Sequence, residues 1–266
     1  MDVTLSSVRS RTQVVDYAWR WLAAISIFGN IGLNYWANRH PFNGQTMGAV
    51  SAKYPTLLTP AGYAFSIWGL IFLALVVYAV WQLLPAQRAT YLPGHIAQPL
   101  TVASLATAGW VVLFAYELIE VSVVTMLVIL VALIITYGRA RRQVRAHKVP
   151  RWVIIPFALY LGWISVATVL NVTIGLREVG WNQPINISVL LALLLLALIV
   201  ALALTISNVF RDVVVAMVVV WALVAIWVAQ RSEYAELGWA ALLGAAVVVV
   251  GGAWLGLRRS RRRKRK

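Results

Sequence analysis

Eight apolar stretches without a single Asp, Glu, Lys or Arg constrain this chain more than any other feature. An apolar run of about 20 residues can cross the hydrocarbon core of a bilayer as a helix. A β-barrel strand would instead show about ten residues of alternating polarity, and runs such as 189–205 do not alternate. The sequence therefore predicts an all-α polytopic membrane bundle. The eight transmembrane helices are predicted at 21–38, 60–84, 99–116, 121–137, 152–176, 185–210, 213–230 and 237–257.

The composition excludes several other classes of protein. Hydrophobic residues make up 62% of the chain and charged residues 12%, against about 25% charged residues in an ordinary soluble domain. The absence of Cys excludes disulfide scaffolds and thiol catalysis. Each of the three His residues, His40, His95 and His147, lies between apolar runs. We therefore expect no histidine-bound metal or haem within the membrane.

The Lys and Arg residues predict how the chain is oriented. With eight spans, one side holds Arg9, Arg11, most loop arginines and the basic tail 258–266, whereas the other holds Arg39, Lys53, Arg177 and Arg231. The positive-inside rule then places both termini in the cytoplasm of a bacterial-type inner membrane. The Lys and Arg residues that orient the chain in the membrane account for its net charge of +15. We therefore expect no nucleic-acid partner. Contact between the basic tail and anionic lipids is an open second role.

A change in composition near residue 178 predicts the organisation of the chain. A cytoplasmic tail (1–14) precedes a core (15–178) with polar, aromatic and small residues in its spans. Three Leu-, Val- and Ala-rich helices (185–257) and the basic tail (258–266) follow. The long polar segment 39–59 is either a lid over the bundle or an ordinary connector.

The spans contain no buried carboxylate, which argues against a proton-coupled transporter. Glu117 and Glu120 fall in the turn between the third and fourth spans, where we expect them to be solvated. The chain has no phosphate-binding loop, no HExxH motif and no nucleophile elbow. We therefore expect a binding protein that needs no cofactor, rather than an enzyme.

Aromatic and amide residues form one stripe along the fifth span. Tyr160, Trp163, Ala167 and Asn171 are spaced by three and four residues, so that they share one helix face. The chain has thirteen Trp residues, and many of them are explained by the aromatic belts at the membrane surfaces. Trp163 lies near the middle of its span, where its N–H needs a partner. This stripe either packs against another helix or lines a cavity for a flat, mostly apolar ligand.

Two segments resemble the TspO/MBR family of tryptophan-rich sensory proteins, which includes the mitochondrial translocator protein. The segment from Thr59 to Phe72 is similar to the family's second helix, and the segment from Tyr160 to Asn171 is similar to its fifth-helix pattern, Y-x-x-W-x-x-x-A-x-x-x-N. Trp110 and Phe114 match the third helix. Leu57 and Thr107 stand where the family pattern has Trp and Asn.

The resemblance implies a five-helix core, often a homodimer, here followed by three additional helices. It also implies a membrane receptor or sensor whose cavity binds porphyrins or other flat hydrophobic ligands. No catalytic residue and no metal ligand is carried over. The ligand-binding residues implied by position are Tyr63, Trp68, Trp110, Tyr160, Trp163, Ala167 and Asn171.

Three other functions remain open. The same cavity would suit the transport of a neutral or lipidic solute. An enzyme that modifies a bound pigment would use the same residues and would show turnover. A structural or assembly subunit would instead use the last three helices, in which Gly252 and Gly256 form a small-xxx-small pair.

Overall fold

The computed structural model describes the backbone of residues 2–54, 56–180, 184–210 and 212–264, and the side chains of residues 17–254 within these ranges. The orientation prediction rests partly on residues beyond this description. Arg211 lies outside the described residues, as do the side chains of Arg9, Arg11 and the basic tail.

The described part of the chain contains only helices and the turns between them. Eight long helices overlap the eight predicted spans, one each, and one short α-helix lies in the first loop. The helices are α1 (Asp2–Arg39), α2 (Met47–Lys53), α3 (Ile67–Leu83), α4 (Tyr91–Ala115), α5 (Ile119–Arg145), α6 (Ile155–Glu178), α7 (Ile185–Phe210), α8 (Val214–Gln230) and α9 (Ala235–Lys264).

Six of the described helical segments are long and apolar enough to cross a membrane, and they lie in α3, α4, α5, α6, α7 and α9. The apolar helix α8 is shorter, with 17 residues. The first predicted span lies in α1, which is helical but is not among the six. The prediction of an all-α, multi-pass membrane bundle is therefore confirmed.

Four helices are clearly longer than the sequence analysis predicts: α1 begins at Asp2 rather than at residue 21, α9 continues to Lys264 rather than ending at residue 257, and α4 and α5 are extended as well. The third span was predicted to begin at residue 99, but α4 begins at Tyr91 and contains Pro99. This extension places His95 inside a helix rather than in a loop. The fourth span was predicted to end at residue 137, but α5 continues to Arg145. Apolarity defines only the part of a helix that faces hydrocarbon, and charged residues with good helix propensity prolong it.

Helix α6 lies at the centre of the bundle. Of its most apolar stretch 72% is buried inside the protein, which is the largest share among the six candidate spans. It packs against α5 and α3 on the core side and against α8 on the other. The glycine at position 162 permits this last contact, because a Cβ atom there would lie 3.0 Å from the Cβ of Val218.

Helix α8 also joins the core through hydrogen bonds at its middle and just before its first residue. The backbone N–H of Ala61 donates to the carbonyl oxygen of Ala225 at 3.0 Å, and the indole N–H of Trp221 donates to that of Ala64 at 3.1 Å. Just before α8 begins, the hydroxyl of Tyr137 on α5 donates to the carboxylate of Asp212 at 2.9 Å. The C-terminal helices are thus fastened directly to the core.

Candidate functional site

A small cavity, here called the aromatic cavity, lies between α3, α4, α5 and α6. Its volume is about 40 Å³. Five of the seven predicted binding residues line it, namely Trp68, Trp110, Trp163, Ala167 and Asn171. The structure therefore brings together most of the predicted set, from three different helices. The other lining residues are Ser51, Phe65, Phe114, Met126, Leu170 and Ile174.

The rings around the aromatic cavity form both edge-to-face and stacked pairs. Trp163 is 2% exposed and meets Phe65 with 5.9 Å between ring centroids at an interplanar angle of 79°. Trp110 instead stacks on Phe114, one turn further along α4, at 4.8 Å and 16°. Such pairs contribute roughly 0.5–1.5 kcal/mol each beyond their buried area. The cavity thus has stiff aromatic walls.

Trp110 carries a polar group that nothing in the described structure satisfies. Its indole N–H is buried and has no hydrogen-bond acceptor among the described residues. Leaving such a donor unpaired costs about 1–3 kcal/mol. Trp110 also lines the aromatic cavity, so this unsatisfied donor belongs to one of the residues of the cavity wall.

Asn171 lines the same cavity but already has a partner inside the bundle. Its Nδ2 lies 3.2 Å from the hydroxyl oxygen of Ser122 on α5. That hydroxyl is itself 2.7 Å from the carbonyl oxygen of Ile119. Asn171 therefore ties α6 to the first turn of α5, and an amide has further hydrogen-bonding capacity to offer a ligand.

Tyr160 and Tyr63 do not line the aromatic cavity. Tyr160 is fully buried, its hydroxyl forms a hydrogen bond with that of Thr107, and its ring meets Trp68 edge-on at 5.7 Å. Tyr160 therefore packs against the Trp68 ring without lining the cavity. Tyr63 is 43% exposed, and its ring meets that of Trp221 on α8 at 5.3 Å. The helical spacing placed Tyr160 on the same face of α6 as Trp163, but it could not predict that Trp68 would lie between Tyr160 and the cavity.

The first loop (residues 40–60) is fastened beside this cavity by one carboxylate. Glu117, in the turn between α4 and α5, accepts hydrogen bonds from Gln45 at 2.8 Å, Lys53 at 2.7 Å and Tyr54 at 2.8 Å. The side chain of Glu117 is 27% exposed, and the three donors that hold it were not predicted from the sequence. We call this group the Glu117 latch. Because α2 lies within the loop and contributes Ser51 to the cavity wall, the latch holds part of that wall in place.

The hydrogen bonds of the latch shift the pKa of both Glu117 and Tyr54. Hydrogen bonds from Lys53, Gln45 and Tyr54 lower the pKa of Glu117 from 4.5 to about 2. The hydrogen bond to Glu117 and burial raise the pKa of Tyr54 from 10.0 to about 12. Sequence reasoning missed this group because Glu117 has a φ of 58°. That left-handed conformation, uncommon for a non-glycine residue, is not signalled by the residue type.

A family model described as "TSPO-like protein" matches residues 20–254. The chain belongs to the TSPO-like protein family. The matched region includes the three C-terminal helices as well as the predicted core. No curated protein and no solved structure matches the chain significantly. Family membership and the apolar helices together indicate a multi-pass membrane protein of the binding or sensory type.

This TSPO-like protein has a second and larger cavity, here called the C-terminal cavity. Its volume is about 590 Å³. It lies between the first loop, the end of α6, the beginning of α7 and the end of α8. None of the seven predicted binding residues lines it. Composition alone could not reveal this cavity, because it depends on where α7 and α8 meet the core.

The described residues of this TSPO-like protein contain no cluster of three or more His, Cys, Asp or Glu that could hold a metal ion. His95 lies one turn after the first residue of α4, where its Nδ1 is 3.0 Å from the hydroxyl oxygen of Tyr91. At 1.5 Å per residue, His95 is about 22 Å along the helix from Trp110. It is therefore too distant to meet a ligand in the aromatic cavity.

Proposed function

We propose that this protein binds a flat hydrophobic ligand of the tetrapyrrole class between α3, α4 and α6, as a sensor or carrier. The observation that carries this proposal is the convergence of Trp68, Trp110 and Trp163 on one cavity, together with the unpaired N–H of Trp110. Aromatic walls suit a flat π-system. The N–H suits a ligand with acceptor atoms, such as the carboxylates or ring nitrogens of a porphyrin.

A tetrapyrrole is larger than the aromatic cavity in this conformation. Pockets for ligands of drug size have volumes of about 300–1,000 Å³, whereas the aromatic cavity has about 40 Å³. Binding therefore requires the walls to move apart. The segment of the first loop around α2 is proposed as the wall element that moves, because it contributes Ser51 to the cavity and the ion pair that holds it is partly exposed. In this proposal this segment is a lid, and release of the Glu117 latch admits the ligand.

The proposal includes an orientation and partners. The chain lies in a bacterial-type inner membrane with both termini in the cytoplasm, the basic tail contacts anionic lipids, and two copies form a homodimer. A reporter fused after residue 266 that is active only in the cytoplasm tests the orientation. Activity of this cytoplasmic reporter supports the proposed orientation, and activity of a periplasmic reporter fused at the same position contradicts it.

An absorbance titration tests the site itself. Purified protein in detergent is titrated with protoporphyrin, and the shift of the Soret band is followed. Ala167→Phe fills the aromatic cavity and is expected to weaken binding at least tenfold. Ala201→Phe, which changes an exposed alanine on α7 in the same way, is the matched control and is expected to leave the affinity within twofold. Equal affinity in both variants contradicts the proposal.

A further inference from the structure

The C-terminal cavity differs from the aromatic cavity in size and in access. Its volume of about 590 Å³ lies in the range of about 300–1,000 Å³ that is typical of pockets for small molecules. Several of its lining residues are exposed, among them Ala52, Ile185 and Glu233. The described lining residues of the aromatic cavity are all buried or half-buried. In this conformation a ligand from outside therefore has access to the C-terminal cavity but not to the aromatic cavity.

The two cavities lie side by side along the same turns of α6. Leu170, Asn171 and Ile174 line the aromatic cavity, whereas Thr173 and Leu176 line the C-terminal cavity. With 3.6 residues per turn, Thr173 lies about 60° around the helix axis from Leu170 and less than one turn further along it. The two sets of residues thus occupy neighbouring faces of one helical segment.

Helix α2 borders both cavities on the side of the first loop. Ser51 lines the aromatic cavity and is 8% exposed. The next residue, Ala52, lines the C-terminal cavity and is exposed. Both residues belong to the segment that we propose as the lid. A movement of α2 therefore changes a wall of both cavities at once.

The other end of the first loop is fastened to α8. Gln230 is 8% exposed, and its Nε2 lies 3.5 Å and 3.4 Å from the carbonyl oxygens of Thr56 and Thr59. The N–H of Thr56 in turn donates to the hydroxyl of Thr59 at 3.0 Å. These bonds do not involve the Glu117 latch. Release of the latch would therefore free α2 while the loop end that lines the C-terminal cavity stays in place.

We propose that the C-terminal cavity is the entry chamber of the aromatic cavity. The ligand first occupies the C-terminal cavity and then passes α2 when the Glu117 latch opens. This inference rests on the proposed function, since the ligand that enters is the flat hydrophobic molecule of that proposal. It also assigns a role to the C-terminal helices, because α7 and α8 form one wall of the chamber.

An entry chamber affects the rates of binding rather than the affinity. The dissociation constant is the ratio of the dissociation and association rate constants. A group that obstructs only the path lowers both rate constants by the same factor and leaves the dissociation constant unchanged. A group that occupies the binding site itself raises the dissociation constant instead.

Reversible labelling of single cysteines tests the inference. The chain contains no Cys, so that an introduced cysteine is the only thiol. Leu191→Cys and Leu195→Cys place it in the lining of the C-terminal cavity, where benzyl methanethiosulfonate adds a bulky group. The matched controls are Leu190→Cys and Leu194→Cys, at neighbouring leucines of α7 that are 57% and 60% exposed. Mass spectrometry confirms that each purified full-length variant is labelled.

Stopped-flow quenching of tryptophan fluorescence by protoporphyrin measures the association rate, and dilution of the complex measures the dissociation rate. We expect the label on either lining cysteine to lower both rate constants at least fivefold and to leave the affinity within twofold of that of the unlabelled variant. The label on the control cysteines is expected to leave both rates within twofold. Dithiothreitol removes the label and should restore the rates in the same sample, which distinguishes obstruction from misfolding.

The outcomes separate this inference from the proposed function. Saturable binding whose association rate is unchanged in the labelled lining variants overturns the entry chamber and leaves the proposed function in place. A weaker affinity at an unchanged association rate also overturns it, because the ligand would then reside in the C-terminal cavity. Binding that does not saturate in the wild type contradicts the proposed function itself, and the inference fails with it.

Discussion

The Nζ atom of Lys53 lies 2.7 Å from Oε1 of Glu117, and this contact joins the first loop to the turn between α4 and α5. The two residues are far apart in sequence, and each lies outside the apolar spans. The side chains of Lys53 and Glu117 are 51% and 27% exposed. A pair of this kind is strong enough to favour the closed loop and weak enough to open at thermal energies, since exposed ion pairs contribute roughly 0.2–1 kcal/mol.

Glu117→Gln is expected to open the first loop more often. The amide is uncharged and loses the ion pair with Lys53, which changes the opening equilibrium up to about fivefold. Hydrogen exchange of residues 45–54, followed by mass spectrometry, measures this opening. Glu120→Gln is the control, because Glu120 is exposed in the first turn of α5. Equal exchange in both variants would show that Glu117 does not hold the loop.

The latch should fail in acid. The pKa of Glu117 is lowered from 4.5 to about 2, so its ionised form stabilises the folded chain above the unfolded-state pKa. This contribution is lost as the pH falls from about 4.5 towards 2. Exchange of residues 45–54 should therefore rise in that range in the wild type and change less in Glu117→Gln. The same pH dependence in both proteins would assign the transition to another group.

Gly162→Ala should loosen the contact between α6 and α8. The new Cβ would lie 3.0 Å from the Cβ of Val218, and overpacking of this kind costs about 1–3 kcal/mol. Gly69→Ala on α3 is the control, because no atom lies within 4 Å of the new Cβ. It receives the same gain in helix propensity, about 1 kcal/mol. The free energy of unfolding in mixed micelles should fall for Gly162→Ala relative to Gly69→Ala.

A second substitution separates this clash from other effects of the alanine. Val218→Ala removes the atoms that the new Cβ meets and should restore part of the stability of Gly162→Ala. A double variant less stable than the sum of the two single changes would contradict the role of Gly162 as the close-contact residue.

Trp110→Phe tests the unpaired indole N–H. The substitution keeps an aromatic, although smaller, ring and removes the donor. A ligand that accepts from Trp110 should therefore bind more weakly by a net 0.5–1.5 kcal/mol, which corresponds to a loss of about two- to twelvefold in protoporphyrin affinity. Trp227→Phe removes another buried indole N–H without a described acceptor, and Trp227 does not line the aromatic cavity. Equal protoporphyrin affinities in the two variants would show that the N–H of Trp110 does not bind the ligand.

Much of the fold follows from the sequence because membrane helices must be apolar over a bilayer thickness. That requirement located all eight long helices, although not the polar extension of α5 from residue 138 to Arg145. The helical spacing of Trp163, Ala167 and Asn171 likewise placed three cavity residues on one face of α6. The spacing and polarity of residues within one segment are local properties, and they predict the local structure of that segment well.

Contacts between distant segments were not predictable from the same patterns. The hydrogen bond from Trp221 to the carbonyl of Ala64 spans 157 residues of sequence, and nothing in either segment signals it. The Val- and Ala-rich composition of α8 indicated only an accessory helix, yet α8 packs beside the segment that leads into α3. The Glu117 latch and the C-terminal cavity depend on contacts of the same kind.

The most direct test of the central claim is quenching of tryptophan fluorescence by protoporphyrin in the wild type, Trp163→Leu and Trp239→Leu. Each variant loses one Trp, but Trp163 lines the aromatic cavity, whereas Trp239 is 61% exposed on α9. The account predicts saturable quenching that weakens at least tenfold in Trp163→Leu and is unchanged in Trp239→Leu. Quenching that does not saturate and is equal in all three proteins would contradict a tetrapyrrole site in the core.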